Sequence, residues 1–244
     1  MKNIILITGC GKGIGREALG YYLNNNKFLI VGIYRSTIDN MNDIGIKNNN
    51  LILIKGDASS NYVLESAFEN SKSKFGYYPN KFIINAGMRY RSNLEFSKDD
   101  SINQLWQINY FSLRTLLVEL INLKLTENIS LVYVSSIVAK LGFVDLDDYG
   151  ATKAAAESLI RSMAIRFPKS RFNCVAPGFT TTSYADEFKN RKPDLFQWTL
   201  DRTPMGRWAN PLEIVKPIDF LLKDNASYIT GQTLYVDGGW TANA

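Results

Sequence analysis

The 244-residue chain contains no histidine. That absence excludes Ser-His-Asp and Cys-His nucleophilic catalysis and the common mixed zinc sites, because imidazole is the usual neutral nitrogen ligand and general base. Proton transfer must fall to Tyr, Lys, Asp or Glu. Cysteine is scarce as well. Cys10 and Cys174 are the two present, too few for a thiolate metal cage or a disulfide-stapled secreted fold. No metal site is therefore expected, and a reducing, cytoplasmic setting is. Long apolar runs are missing, with nothing near the ~20 residues of a membrane helix. Lys2 and Ile4-Ile5-Leu6-Ile7, leading to Gly9-Cys10, imitate a lipoprotein export signal. Their apolar core falls short of the about 7–15 residues such signals use, so no membrane partner is expected. Basic runs are absent too: 28 Lys and Arg against 23 Asp and Glu leave a net charge of +5, but the cations are scattered. Without a basic patch interleaved with aromatics, no nucleic-acid partner is expected.

What the sequence does contain is a steady alternation. Short runs rich in Ile, Leu and Val occur at residues 3–8, 28–34, 51–55, 81–85, 130–135, 171–176 and 233–236. They are nearly continuous rather than alternating, the pattern of parallel strands buried on both faces. Helical patterns lie between them at 13–25, 61–74, 102–125, 149–167 and 211–222, the last opening with Asn210 as cap and Pro211 in the first turn. Strand–helix alternation of this kind predicts an α/β fold, a doubly wound parallel sheet of about seven strands with helices on both faces. No composition shift marks a boundary, so residues 1–244 read as one Rossmann domain. Residues 180–206 lack strand character and follow a strand end, where such sheets bind ligands. They are expected to form a mobile, substrate-covering lobe.

Directly after the first strand stands Thr8-Gly9-Cys10-Gly11-Lys12-Gly13-Ile14-Gly15, with the first helix beginning inside it. Glycines there permit a tight turn, let backbone approach a pyrophosphate and let the helix pack closely on the sheet, while helix N-terminal amides bind the anion. A plain tight turn is the duller reading. The spacing is Gly-x-x-x-Gly-x-Gly, and further segments follow in order: Asp57, Asn85-Ala86-Gly87, Asn109, Ser136, Tyr149-x-x-x-Lys153, Pro177-Gly178, and Tyr228-Ile229-Thr230-Gly231-Gln232 before Asp237-Gly238-Gly239. In these motifs and their spacing the whole chain resembles the short-chain dehydrogenase/reductase family, in its compact branch, and most of all the oxoacyl-carrier-protein reductases. One departure is Ile84, where the family usually has a second Asn.

The resemblance implies an oxidoreductase that moves a hydride between nicotinamide and a carbonyl or secondary alcohol. It assigns the cofactor to Gly9, Gly11, Lys12, Gly13, Ile14, Gly15, Arg35, Ser36, Asp57, Ala58, Asn85, Ala86, Gly87, Tyr149, Lys153, Pro177, Gly178, Thr180 and Thr182. It assigns the chemistry to Asn109, Ser136, Tyr149 and Lys153: Tyr149 as acid or base, Ser136 donating to the substrate oxygen, Lys153 holding ribose hydroxyls, and Asn109 anchoring a water that resupplies the proton. Tyr149 and Lys153, one helical turn apart, share a face. A Lys ammonium and a positive nicotinamide beside a phenol should lower its ordinary pKa of about 10. NADP(H) is expected over NAD(H), because Arg35-Ser36 follows the second strand where an NAD-selective site usually has an acid, and Lys12 adds a second cation.

Substrate identity should reside in residues 88–96, 140–148 and 180–206, and acyl thioesters, keto-sugars and small ketones all stay open. Lys189, Arg191 and Lys192 either draw an acidic or phosphorylated substrate, acyl carrier protein included, or simply face solvent. Two other readings compete. A nucleotide-sugar epimerase or dehydratase usually carries a longer C-terminal domain and different glycine spacing. A non-catalytic dinucleotide-binding regulator typically loses part of the catalytic group, which is intact here. The family resemblance also implies a homotetramer or homodimer through helices 102–125 and 149–167, where Leu116, Leu117, Leu120 and Ile121 are apolar; a core-facing helix would show the same pattern.

Overall fold

A computed structural model describes residues 3–25, 27–39, 49–92 and 100–243. Seven strands, β1 (Asn3–Thr8), β2 (Phe28–Tyr34), β3 (Leu51–Lys55), β4 (Lys81–Ile84), β5 (Ser130–Val134), β6 (Arg171–Pro177) and β7 (Thr233–Val236), form one sheet in the order β3-β2-β1-β4-β5-β6-β7. Every neighbouring pair is parallel. Side chains alternate across a strand, and the near-continuous runs feed both faces. Ile4 and Leu6 of β1, Phe82 and Ile84 of β4, and Leu131 and Tyr133 of β5 enter one core. Ile5, Ile7, Ile83, Val132 and Val134 enter the other. The first core is covered by α2 (Asn61–Phe75), α4 (Ser112–Asn122) and α5 (Asp147–Arg166), the second by α1 (Gly13–Leu23) and α8 (Pro211–Leu222). The helix start foreseen at Asn210 is a full capping box: Leu212 N–H donates to Asn210 Oδ1 at 3.0 Å and Asn210 N–H to Glu213 Oε2 at 2.8 Å.

Strand order reverses direction between β1 and β4, and the crevice outside the carboxyl ends of the strands at such a switch is where ligands bind in sheets of this kind. Two segments show detail beyond the sequence pattern. The single helix foreseen at 102–125 is α3 (Asp100–Trp106) and α4 joined by a π-helical turn, Gln107–Phe111, with Asn109 in its middle. The segment 180–206 is largely helical, with α6 (Ser183–Arg191) and α7 (Pro193–Arg202) packing around their own small apolar cluster of Ala185, Phe188 and Trp208. The apolar residues cited for assembly also read differently: Leu116, Leu117 and Leu120 are buried in the chain's own core, whereas Phe111, Val118 and Ile165 are exposed. Among the described residues no helix is long and apolar enough to cross a membrane.

Candidate active site

The glycine loop is tied to the end of β4 by short contacts. Thr8 Oγ1 accepts from the backbone N–H groups of both Asn85 and Ala86 at 3.1 Å, and Asn85 Nδ2 donates to the Gly9 carbonyl at 3.0 Å. Gly9 has φ +67°, and a Cβ on it would lie 2.8 Å from Ala86 Cα. Only glycine fits between these two backbones. The loop then delivers the N-terminus of α1, whose cap residue Lys12 makes no side-chain capping bond, so the first-turn amides are left for an anion.

Two cavities meet along this edge of the sheet. A smaller one of about 160 Å³ is lined by Gly9, Gly11, Lys12, Arg35, Ser36, Asp57, Ala58, Ala86 and Gly87, with Ile33, Thr37, Gly56 and Ile108. A larger one of about 360 Å³ takes in Ile14, Asn85, Gly87, Ser136, Tyr149, Lys153, Pro177, Gly178, Thr180 and Thr182. Gly87 belongs to both. Gly13 lies between them against Thr182, 3.2 Å from where its Cβ would sit, while Gly15 is buried beneath the Gly9 carbonyl. Together they form an elongated site with the cations Lys12 and Arg35 toward one end and Tyr149 and Ser136 at the other. Asp57 has one carboxylate oxygen committed to the N–H and hydroxyl of Ser59, at 2.8 and 2.7 Å.

At the reactive end, α5 starts at Asp147, so Tyr149 and Lys153 project from its first two turns toward the end of β5. The consecutive serines after β5 point to different partners. Ser135 Oγ donates to the buried Glu157 carboxylate at 2.5 Å, whereas Ser136 hydrogen-bonds to the Tyr149 hydroxyl. Lys153 is 4% exposed, donates to the Val134 carbonyl at 2.9 Å and sits 4.7 Å over the Tyr133 ring and 6.0 Å from the centre of the Tyr149 ring. A side chain at position 87 would crowd this amine, since a Cβ there would lie 3.3 Å from both Lys153 Nζ and Asn109 Oδ1.

The electrostatics depart from the expectation of a depressed phenol. Burial pushes the half-buried Tyr149 up from its ordinary value, and the Ser136 hydrogen bond and the Arg89 guanidinium only partly offset this. The cation that offsets the rise at Tyr149 is Arg89. The Lys153 amine is drawn back to the Val134 carbonyl, and burial pushes it down to about 8 against the partial support of Cys174 and Glu157.

Asn109 lines neither cavity. Its side chain accepts from Met88 N–H at 2.8 Å and donates to the Met88 carbonyl at 2.9 Å and to Thr152 Oγ1 at 3.1 Å, a clamp on the loop after β4. Its backbone carbonyl accepts from Tyr133 Oη at 2.8 Å. Three residues beyond the motif thus shape the site: Tyr133 and Glu157 behind Lys153, and Arg89 beside Tyr149. Phe143, Phe179 and Trp208 supply aromatic wall to the larger cavity, and Trp208 is fixed by an indole N–H bond to Thr199 Oγ1 at 2.7 Å. Of the lobe cations, Arg191 is ion-paired with Glu187 at 2.8 Å and Lys189 lies over the Phe196 ring at 5.7 Å. Of the three segments assigned to substrate choice, residues 93–96 lie outside the described residues.

Comparison with known proteins bears on this constellation. A family model described as enoyl-(acyl carrier protein) reductase matches residues 11–241. The 3-oxoacyl-[acyl-carrier-protein] reductase FabG of Salmonella typhimurium is 32% identical over 245 residues, which cover 97% of this chain and 96% of that protein. The chain belongs to the short-chain dehydrogenase/reductase family. As a short-chain dehydrogenase/reductase it is an oxidoreductase of alcohol or carbonyl groups. Solved structures share its fold over nearly their whole length. A 4-hydroxyisoleucine dehydrogenase complexed with NADH aligns with TM-score 0.88 at 24% identity, covering 98% of this chain and 99% of that one. ElxO with NADP bound aligns with TM-score 0.87 at 24% identity, covering 99% and 100%.

Proposed function

We propose that this short-chain dehydrogenase/reductase is an NADP(H)-dependent carbonyl reductase and secondary-alcohol dehydrogenase in which Tyr149 carries the proton. The observation that carries the reading is the pair of hydrogen-bonded hydroxyls of Ser136 and Tyr149 facing one cavity, with the buried Lys153 amine behind them. The nicotinamide dinucleotide supplies or accepts the hydride. The chain does the rest. Ser136 donates to the carbonyl oxygen and fixes its position, and Tyr149 gives that oxygen a proton in reduction or takes it back in oxidation. A phenol pushed up by burial holds its proton at neutral pH, which suits the donor role. Lys153, Asn85-Ala86-Gly87 and the segment from Pro177 to Thr182 would hold the reactive end of the cofactor, and Gly9, Gly11, Gly13, Ile14 and Gly15 would cradle its phosphates. Asn109 acts from behind by clamping Met88, so that Gly87 stays clear of Lys153. The 180–206 lobe carries α6 and α7 over the substrate, with Trp208 as its inner wall. Any homodimer or homotetramer built on α4 and α5 buries Phe111, Val118 and Ile165.

The phosphate at the adenosine end selects the cofactor. Lys12 and Arg35 both line the smaller cavity, and no carboxylate stands at position 35 or 36 to accept the ribose hydroxyls of NAD(H). The wild type should show higher kcat/KM with NADPH than with NADH, and Arg35→Asp should shift that ratio toward NADH by about 10- to 100-fold, the size of one lost charge-assisted contact plus a repulsion. A wild-type preference for NADH, or an unchanged ratio in Arg35→Asp, would remove the NADP(H) assignment and leave the proton-transfer reading intact.

A further inference from the structure

The wall of the larger cavity says something about the substrate itself. Arg89, two residues beyond Gly87, lines this cavity together with Tyr149 and Ser136. The guanidinium thus shares one cavity with the two hydroxyls that would bind the carbonyl, and its positive charge acts on Tyr149. Among the described residues no Asp or Glu lines the cavity, and its two lining cations are Arg89 and Lys153. These cations differ in what they can offer. Lys153 is buried and commits its amine to the Val134 carbonyl, whereas Arg89 is exposed at the cavity wall. Opposite them Phe143, Leu146, Phe179 and Trp208 present carbon.

We propose that the substrate is an oxo-carboxylic acid, or the corresponding hydroxy acid, whose carboxylate is held by Arg89 while its hydrocarbon portion lies against Phe143, Leu146, Phe179 and Trp208. The inference rests on the reading of Tyr149 and Ser136 as the carbonyl-binding pair, and it adds the part of the molecule those residues do not see. A guanidinium pairs a planar carboxylate through two parallel N–H bonds. With five donors a guanidinium can do so and still serve another partner, and Arg89 does have a further interaction in the protein. One exposed cation suits one negative charge. A phosphate monoester, with nearly two charges and three acceptor oxygens, would find no second available cation on this wall among the described residues, because Lys153 commits its amine to the Val134 carbonyl. In the reaction the carbonyl carbon gains a hydride, its oxygen gains the Tyr149 proton, and the carboxylate leaves with its atoms and charge unchanged. The carboxylate contributes binding and orientation, so a single guanidinium decides which ketones are held in register with Tyr149.

The test compares 2-, 4- and 5-oxohexanoate with their methyl esters and with 2-hexanone, using NADPH and both wild-type and Arg89→Gln enzyme. Hexanoate and hexanamide binding is measured by calorimetry on the same proteins. The wild type should reduce at least one oxo-acid with kcat/KM about 30-fold or more above its ester, the range of one charge-assisted pair. Arg89→Gln should bring that ratio within about threefold of unity, chiefly through KM, and should abolish any preference for hexanoate over hexanamide; Arg89→Lys should recover part of both. Esters and 2-hexanone reduced as well as the acids by the wild type, or a ratio that survives Arg89→Gln, would overturn the inference. Arg89-dependent hexanoate binding without reduction of any carbonyl compound would support the anion site and count against the reaction assigned to Tyr149. Neither reduction nor Arg89-dependent binding would overturn both.

Discussion

Tyr149→Phe should lower kcat for carbonyl reduction by about 10²- to 10⁴-fold, the range that one positioned acid contributes, with cofactor affinity and Tm close to those of the wild type. The substitution removes a single oxygen from a half-buried ring and leaves α5 and the packing against Ser136 in place. What it removes chemically is the proton that burial keeps on the phenol at neutral pH. Ser136 would still donate to the carbonyl oxygen, which is why residual turnover is expected rather than none. Absorbance-based turnover, cofactor titration and a thermal melt together separate these effects. A kcat within about tenfold of wild type would mean that Tyr149 is not the proton carrier, since that is less than the smallest usual contribution of such a group. The upward push also gives the reverse reaction a direction: oxidation needs the phenolate, so alcohol oxidation should favour more alkaline conditions than ketone reduction does.

Lys153→Met should lower kcat/KM by about 100-fold or more, as expected for a buried group that orients a cofactor, and it should also change how stability responds to pH. Burial pushes the Lys153 amine down to about 8, against an ordinary value of 10.5. Below pH 8 the ammonium is present in both the folded and the unfolded chain, and the folded protein bears the whole cost of burying it. Between about pH 8 and 10.5 the folded protein has released a proton that the unfolded chain still holds. Stability therefore rises with pH over this window, by about 2 kcal/mol between pH 7.5 and 9.5 from this one group. Other groups act in the opposite sense. The Cys10 thiol is pushed up to about 12 and that of Cys174 further still, so as pH passes 9 the unfolded chain releases thiol protons that the folded one retains, and stability falls. The informative quantity is thus the difference between Lys153→Met and wild type in urea denaturation of the cofactor-free protein. Any stability advantage of the variant should shrink by about 2 kcal/mol across that interval. A difference that does not change with pH would show that Lys153 is not buried as an ammonium.

Much of this architecture is readable in one dimension, and the reasons are physical. A strand buried on both faces needs apolar residues at successive positions, so Ile4 through Ile7 announce β1 and supply two cores at once. A pyrophosphate site needs backbone without side chains, so Gly9, Gly11, Gly13 and Gly15 announce the loop. Asn210-Pro211 with Glu213 announces the start of α8 because each satisfies or lacks a particular amide.

The remainder depends on contacts that a local pattern does not carry. One extra residue in a helical turn barely disturbs the apolar periodicity, so the π turn at Asn109 reads as uninterrupted helix. It is held by Met88, Thr152 and Tyr133, all distant in the chain. Helix α6 is short and mostly polar, SYADEFKNR, and Phe188 and Ala185 reach their partner Trp208 only after the chain has turned back. The raised Tyr149 and lowered Lys153 come from burial, which the spacing of two residues on a helix does not reveal. Arg89 differs again, because it lies two residues beyond a recognised motif and its importance follows from the cavity it lines.

The central claim is that this site joins hydride transfer at carbon to proton transfer from Tyr149 at oxygen. Mass spectrometry of the alcohol formed from a reducible ketone and cofactor carrying deuterium at both C4 positions of the dihydronicotinamide tests it most directly. The account predicts one deuterium on the carbinol carbon with wild-type enzyme, and the same label position at a rate at least about 100-fold lower with Tyr149→Phe. A product without cofactor-derived deuterium, or label delivered at an undiminished rate by Tyr149→Phe, would contradict it.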